Sequence, residues 1–266
     1  MIINFHQIVS YLKHFVTAKR RGHAVHSPFA FQLCEEVFYN THAFYDFETL
    51  NTTRINLLKN KTKLQIQDFG AGSKTFKTNT RPVNKIAKHG VSTALQSQLF
   101  YKLINYLNCK VSVELGTSIG LNTLYLALAN KNGMVHTFEG SEQLCDFAKK
   151  LAVQNTCNNI NFINAKFDEV LPRFFEEHSA VDFFYIDGNH AYQATINYFN
   201  LALKYKTNNS VFVFDDIYWS PQMTAAWQQI KKNNEVTLTI DTFYFGLVFF
   251  KPEFKEKVDL KFFLYQ

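Results

Sequence analysis

The sequence predicts an α/β fold: a doubly wound, seven-stranded sheet with an antiparallel last strand, preceded by an N-terminal helical and irregular extension. From residue 110 onward, short β-rich runs alternate with stretches of helical spacing, a rhythm typical of parallel strands joined by right-handed crossovers. The last two β-rich runs, 235–241 and 244–251, have only two residues between them. Because no helix fits there, we predict that the final strand turns back as a hairpin.

The N-terminal extension is predicted to cover residues 1–92 and is a candidate cap for an active site. Residues 5–16 carry apolar side chains at helical spacing, and Ser27-Pro28 is a typical helix start. Between about 40 and 92 the chain is polar and irregular, with one strand-like piece at 64–69.

The wound region is predicted to span 93–251, and a C-terminal tail to span 252–266. After a helix over STALQSQLFYKLINYLN, the strands are expected at 110–115, 134–139, 160–164, 181–187 and 210–215. The helices between and after them are expected at about 120–130, 141–155, 167–177, 190–205 and 220–233.

Composition narrows the function classes. Of the 266 residues, 47% are hydrophobic, which is enough for a full core, and the net charge of +6 is spread thinly apart from a cluster at 19–21. We therefore expect solvated surface lysines rather than a nucleic-acid partner. Four cysteines without a CxxC pair suit a reducing compartment. Without a signal peptide or an apolar stretch of about 20 residues, we expect a cytoplasmic protein with no membrane partner.

Two stretches end a hydrophobic run in an acid and a glycine turn: VSVELGTSIG at 111–120 and LQIQDFGAGS at 64–73. In the first, Gly116 allows a sharp turn and Gly120 allows close helix–strand packing. A dinucleotide site prefers G-x-G-x-x-G, because a pyrophosphate needs bare backbone amides. Here Glu114 would repel a pyrophosphate but suits a ligand with an ammonium group. DFGAGS is interpreted as a turn or hairpin, and both a surface loop and a substrate lid stay open.

A second acid, Glu139, ends the next strand nineteen residues beyond Gly120. An acid at this position can accept hydrogen bonds from both hydroxyls of a ribose. An ammonium-bearing amino acid joined to a ribose through sulfur is S-adenosylmethionine. From about 110 to 251 the sequence thus resembles the class I S-adenosylmethionine-dependent methyltransferases, which have a Rossmann-like fold. The resemblance implies cofactor-binding roles for Glu114, Gly116, Thr117, Gly120, Glu139, Phe167 and Asp187, with Phe167 as a stacking face for adenine.

Three aspartates end the fourth and fifth strands of the wound region. Because the carboxyl ends of adjacent parallel strands meet at one crevice, Asp187 is expected to face Asp215 and Asp216. Three crowded carboxylates repel one another unless a cation balances their charge. All three aspartates are therefore candidate ligands of Mg²⁺ or Mn²⁺. The structural alternative for Asp187 is a helix N-cap.

This arrangement is similar to the metal-dependent O-methyltransferases of the catechol and macrolide-sugar type. In the catechol type, a lysine three residues beyond the first acid acts as the base, and here that position is His190. The resemblance therefore makes His190 and Asp187 the catalytic candidates. The runs HSPFAF, VELGTSIG, IDGNHAY and FDDIYWSPQM also look like a bacterial group related to the macrolide-sugar type, a likeness that brings no substrate with it.

The predicted function is S-adenosylmethionine-dependent O-methylation of a small molecule, with assistance by Mg²⁺ left open. Three alternatives remain: aminopropyl transfer, nicotinamide-linked redox chemistry, and a non-catalytic module that binds nucleic acid or protein. The glycine spacing and the terminal hairpin argue against the redox alternative. A homodimer is left open as well.

Overall fold

The computed structural model describes residues 5–18, 27–67, 78–178 and 180–264. Within these ranges the chain forms two compact units, one of Thr41–Phe174 and one of Met1–Asn40 together with Phe175–Gln266. The DFGAGS turn and the basic cluster at 19–21 lie outside the described residues, so their predicted roles stay predictions.

Helices and strands alternate as the sequence predicts from residue 110 onward. The first part of the chain contains α1 (Phe5–Thr17), α2 (Pro28–Leu33), a π-helical turn (Cys34–Phe38), α3 (Asp46–Lys59), β1 (Lys63–Gln65), β2 (Thr80–Pro82), α4 (Val83–His89) and α5 (Ala94–Leu107). The second part contains β3 (Val111–Leu115), α6 (Leu121–Ala129), β4 (Met134–Glu139), α7 (Glu142–Gln154), β5 (Ile160–Asn164), α8 (Phe167–Glu177), β6 (Val181–Ile186), α9 (Tyr192–Leu203), β7 (Lys206–Asp215), α10 (Pro221–Lys232), β8 (Leu238–Asp241), β9 (Phe245–Phe249) and β10 (Val258–Lys261).

In the unit of Thr41–Phe174, β4 lies between β3 and β5 and runs parallel to both. The pairing places Glu114 of β3 opposite Thr137 of β4. The expectation that the chain is irregular between about 40 and 92 was wrong, because α3 and α4 lie there. The strand-like piece predicted at 64–69 overlaps β1, which pairs antiparallel with β2. Helix α5 begins where a capping box forms, with reciprocal hydrogen bonds between Thr93 and Gln96 that satisfy two free amides at the helix start.

In the other unit, the strand order is β10-β8-β9-β7-β6. Strands β6 and β7 are parallel, and β9 is antiparallel to both β7 and β8. The predicted hairpin is therefore confirmed. Gly246 of β9 lies against the buried ring of Trp227, where an added Cβ would stand 2.6 Å from the ring.

The segment 252–266, which the sequence predicts to be a tail, contributes the short strand β10, parallel to β8. Strand β10 is additional to the seven strands that the sequence predicts. Leu260 and Phe262 are buried there. Val258, Leu260 and Phe262 alternate with charged residues, which is the period-2 pattern of a half-buried strand. Ser27 caps α2 by accepting a hydrogen bond from the Ala30 amide, which confirms the predicted helix start. Among the described helices, none is long and apolar enough to span a membrane.

Candidate active site

The turn after β3 is built from left-handed backbone. Gly116 has a φ of 106°, Ser118 one of 51° and Gly120 one of 80°. A Cβ at Gly120 would lie 2.7 Å from the Cβ of Ala148 on α7. Gly120 thus permits a close approach as predicted, although its neighbour is a helix rather than the strand that the sequence suggests. Both glycines are required by this geometry.

Most amides of this turn are already engaged within the protein. The Gly116 and Thr117 amides donate to the Phe138 carbonyl over 3.0 and 3.2 Å, and the Gly120 amide donates to the Thr117 carbonyl. The Ser118 amide donates to a carboxylate oxygen of Glu139 over 2.9 Å. A pyrophosphate-binding loop needs such amides free. The turn therefore lacks the row of free amides that a dinucleotide site uses.

Glu139 lies at the tip of β4, where it joins two turns. Its Oε2 accepts the hydrogen bond from the Ser118 amide, and its Oε1 accepts one from the Ser141 amide over 2.9 Å. The residue is half-buried. Each carboxylate oxygen can accept a further hydrogen bond, so this fixed, partly exposed carboxylate can still bind ligand hydroxyls. Its role at a ribose stays a prediction.

Glu114 is fully buried beneath the turn. Its Oε1 accepts a hydrogen bond from Asn122 over 2.9 Å, and its Oε2 accepts from the hydroxyls of Thr123 and Thr137 over 2.5 and 2.7 Å. The Thr137 hydroxyl also contacts that of Thr117 over 2.6 Å. Burial raises the pKa of Glu114 to about 7, although the three hydrogen bonds oppose the shift. Glu114 thus ties β3, β4 and the first turn of α6 together.

The end of β5 is bound to Glu139 as well. The Asn164 side chain and the Ala165 amide donate to the Glu139 carbonyl over 2.7 and 3.2 Å. Phe167, two residues further on, opens α8 and is half-buried. This places Phe167 close in the chain to the acid at the tip of β4, and its predicted stacking on adenine stays a prediction.

A second cluster lies in the other unit, at the carboxyl ends of the neighbouring strands β6 and β7. The Nε2 atom of His190 stands 3.9 Å from Asp187 Oδ1 and 3.8 Å from Asp216 Oδ2. The ring of Trp219 lies 5.6 Å from the imidazole, measured between centroids. The structure therefore brings His190 between two of the three predicted aspartates.

The third aspartate, Asp215, is buried at the end of β7. Its Oδ2 accepts a hydrogen bond from the Tyr185 hydroxyl over 2.7 Å, and its Oδ1 accepts one from the Asp216 amide over 3.0 Å. Burial and the charge of Asp216 raise the pKa of Asp215 to about 7. Burial lowers the pKa of His190, against the opposing effect of Asp215. The imidazole therefore favours its neutral form, which can accept a proton.

Residues 113–217 match a family model described as a methyltransferase domain. The chain contains a methyltransferase domain. This match confirms the resemblance that the sequence suggests, and it includes the glycine turn, both glutamates and the aspartate cluster.

One relative and several solved structures are similar to parts of this chain. An uncharacterized protein of Acanthamoeba polyphaga mimivirus is 34% identical over 130 residues, which cover 44% of this chain and 58% of that protein. The chain thus spans well under two thirds of that relative. The O-methyltransferase TomG from Streptomyces achromogenes, involved in tomaymycin synthesis and solved with S-adenosylmethionine, shares 18% identity at a TM-score of 0.54, over 60% of this chain and 82% of that one. An O-methyltransferase from Bacillus cereus, solved with S-adenosylhomocysteine, shares 18% identity at a TM-score of 0.52, over 79% and 93%. These likenesses confirm the fold class of the methyltransferase domain.

The aspartates of the methyltransferase domain do not form a divalent-metal site as they stand. Across the described ranges, no group of three or more His, Cys, Asp or Glu side chains is placed to hold a metal ion. Both oxygens of Asp215 accept hydrogen bonds from the protein. Nor is Asp187 a helix cap, since α9 begins after Ala191 without a side-chain cap. The metal-binding role of Asp187, Asp215 and Asp216 stays a prediction.

Sequence reasoning missed the polar partners of the buried acids. The Tyr185 hydroxyl donates a hydrogen bond to Asp215. The side chains of Asn122, Thr123 and Thr137 donate hydrogen bonds to Glu114. One signal was available for Thr137. It stands two residues before Glu139 on β4, so both side chains leave the same face of the strand.

Proposed function

We propose that this protein transfers a methyl group from S-adenosylmethionine to a hydroxyl oxygen of a small molecule. The observation that carries the proposal is Glu139, a partly exposed carboxylate held by the glycine turn within a methyltransferase domain. Its two oxygens are fixed by the amides of Ser118 and Ser141. A carboxylate held in this way is preorganised to accept two neighbouring hydroxyls, as a ribose presents them.

The glycine turn supports the same cofactor. Because its amides are engaged by Phe138 and Glu139, it suits a ligand without a pyrophosphate. Gly116 leaves room for the methionyl part of the cofactor against the main chain. We assign Glu114 a supporting role, since its buried carboxylate fixes Thr137 and the first turn of α6.

His190 is the proposed general base. When bound, S-adenosylmethionine would supply an electrophilic methyl group on its sulfonium and would leave as the neutral thioether S-adenosylhomocysteine once its S–CH3 bond is broken. An attacking hydroxyl loses its proton as the new O–C bond forms, and the neutral Nε2 of His190 can take it. The carboxylates of Asp187 and Asp216, at 3.9 and 3.8 Å, would stabilise the imidazolium that results. The Trp219 ring, 5.6 Å from the imidazole between centroids, would support the orientation of His190.

Assistance by Mg²⁺ is a separate part of the proposal, and no step above depends on it. Turnover that persists in excess EDTA would remove the metal, whereas loss of turnover that Mg²⁺ restores would mean that the aspartates rearrange around an ion. A homodimer and a cytoplasmic location stay predictions from the sequence.

Isothermal titration calorimetry tests the cofactor proposal. We expect wild-type protein to bind S-adenosylmethionine and Glu139→Ala to bind it at least tenfold more weakly, about 1.4 kcal/mol. The matched control is Glu142→Ala, which removes an exposed carboxylate three residues away in the chain. Equal affinity in all three proteins, with folding verified by circular dichroism, would refute the assignment of Glu139.

The acceptor and the transferred group are tested together. Incubation of a small-molecule extract with cofactor labelled in the methyl group should move label into products that lack protein and nucleic acid. Label transferred only from the aminopropyl chain of decarboxylated cofactor would favour the aminopropyl alternative. Cofactor binding without transfer from either donor would favour a non-catalytic module.

A further inference from the structure

Helix α1 buries polar side chains and exposes apolar ones, the reverse of the usual arrangement in a protein. Its buried side chains are Ser10 and His14. Six of its seven large apolar residues are exposed, with exposed fractions of 36 to 82% at Phe5, Ile8, Tyr11, Leu12, Phe15 and Val16. The rings of Tyr11 and Phe15 are partly covered by contacts with Phe243 and Phe263. Thirteen large hydrophobic residues are exposed in the described chain, and these six are nearly half of them. We name these six side chains the α1 apolar face.

Polar contacts hold α1 in this orientation. The Nδ1 atom of the buried His14 lies 3.2 Å from Oδ1 of the buried Asp241, and its Nε2 donates to the Phe262 carbonyl over 3.1 Å. His6 contacts the Thr224 hydroxyl over 2.9 Å. Turning α1 over to bury its apolar residues would leave the Asp241 charge without this partner, which is costly inside a protein. The α1 apolar face is therefore fixed outward.

Charge in the first part of the sequence is one-sided. The first 34 residues contain four Lys or Arg residues, of which Lys13 lies in α1 and the others at 19–21 follow it in the sequence, and no Asp or Glu. A segment with an apolar helix face, cationic residues and no acidic residues has the composition of segments that lie in the interface of a lipid bilayer. Anionic headgroups attract such cations.

Charge argues against a second copy of the chain as the occupant of this face. Two copies would bring two sets of unbalanced cations together, and like charges repel one another. An anionic surface would instead balance them. Contrary to the expectation from the sequence that there is no membrane partner, we propose that the α1 apolar face docks this protein on the surface of an anionic lipid bilayer.

Vesicle co-sedimentation tests this docking. Wild-type protein should pellet with vesicles of phosphatidylcholine mixed with phosphatidylglycerol, should pellet much less with phosphatidylcholine alone, and should be released by salt. Leu12→Gln/Val16→Gln should weaken binding at least tenfold. The matched control is Ile55→Gln/Leu58→Gln, which changes two exposed apolar residues of α3 and should bind as wild type does. S-adenosylmethionine affinity should be the same in all three proteins.

Three outcomes would overturn the proposal. Wild-type protein that stays in the supernatant with anionic vesicles shows no such surface. Binding that survives the α1 substitutions places the contact elsewhere. An oligomer whose mass, measured by light scattering without lipid, falls on the α1 substitutions would make the face an interface between copies. If the double variant lacks helical circular dichroism, Phe5→Gln at the first turn of α1 gives the same test with one change.

Discussion

Replacing Glu114 by Gln gives a test of the network beneath the glycine turn. The substitution keeps the shape of the side chain and removes its ionisation. The amide oxygen can still accept from Asn122, and the hydroxyls of Thr123 and Thr137 can rotate so that one of them accepts from the new amide group. The main change is then the loss of a buried acid.

The magnitude follows from the pKa of Glu114, which burial raises from 4.5 to about 7. Below pH 4.5 the carboxyl is protonated in the folded and unfolded states alike, so its contribution to stability is fully present. Between pH 4.5 and 7 the unfolded chain loses the proton first, and the free energy of unfolding falls as pH rises. One pKa unit corresponds to about 1.4 kcal/mol, so the full loss is roughly 3 kcal/mol. Above pH 7 the loss is constant.

Urea unfolding followed by circular dichroism, at pH values from 4.5 to 8, measures this effect as a difference between the two proteins. We expect the free energy of unfolding of Glu114→Gln, relative to that of wild type, to rise by roughly 3 kcal/mol from the acidic to the neutral end of this range. Other titrating groups, Asp215 among them, cancel in that difference. The control is Glu142→Gln, which changes an exposed acid in the same unit. Its free energy of unfolding should depend on pH as that of wild type does. A stability difference between wild type and Glu114→Gln that does not change with pH would refute the reasoning.

Two further substitutions test the turn and the base. Gly120→Ala should lower the free energy of unfolding, measured in urea, by roughly 2–4 kcal/mol, because its Cβ would overlap Ala148 at a positive φ. The control Gly90→Ala, whose Cβ would have ordinary contacts of 3.4 Å, should lower it much less. Equal losses in the two variants would contradict the packing argument. His190→Gln should lower kcat by roughly 10²- to 10⁴-fold and abolish the acidic limb of the kcat–pH profile, which we expect below pH 6.5 because burial lowers the pKa of this imidazole. A variant with the wild-type pH profile would exclude His190 as the base.

The wound region could be predicted because its signals are local. Strand and helix periods alternate from residue 110 onward, and the two-residue gap before β9 leaves a hairpin as the remaining connection. The packing of α1 was not accessible in this way. Helical spacing predicts a helix over residues 5–16, but the contact of His14 with Asp241 fixes which side is buried, and those residues lie far apart in the chain.

The candidate site shows the same division. Both glutamates could be located, because each lies at or near the end of a β-rich run beside a turn. Their different environments could not, since these depend on which strand lies opposite. Glu114 faces Thr137 across the β3–β4 pair, which encloses it, whereas Glu139 lies beyond that cover. The metal prediction rested on the three aspartates alone, without Tyr185, which occupies one oxygen of Asp215.

The enclosure of Glu114 leads to a last prediction, on whether this acid contacts the ammonium group of the cofactor. A contact would favour the ionised carboxylate and lower its pKa from about 7. Cofactor binding near neutral pH would then release a proton, and affinity would rise with pH through this range. Since Glu114 is fully buried and Asn122, Thr123 and Thr137 donate to its oxygens from within the protein, we expect no such linkage. Calorimetry in two buffers of different ionisation enthalpy should give the same proton uptake for wild type and Glu114→Gln. Release by wild type alone would restore the direct contact that the sequence suggests.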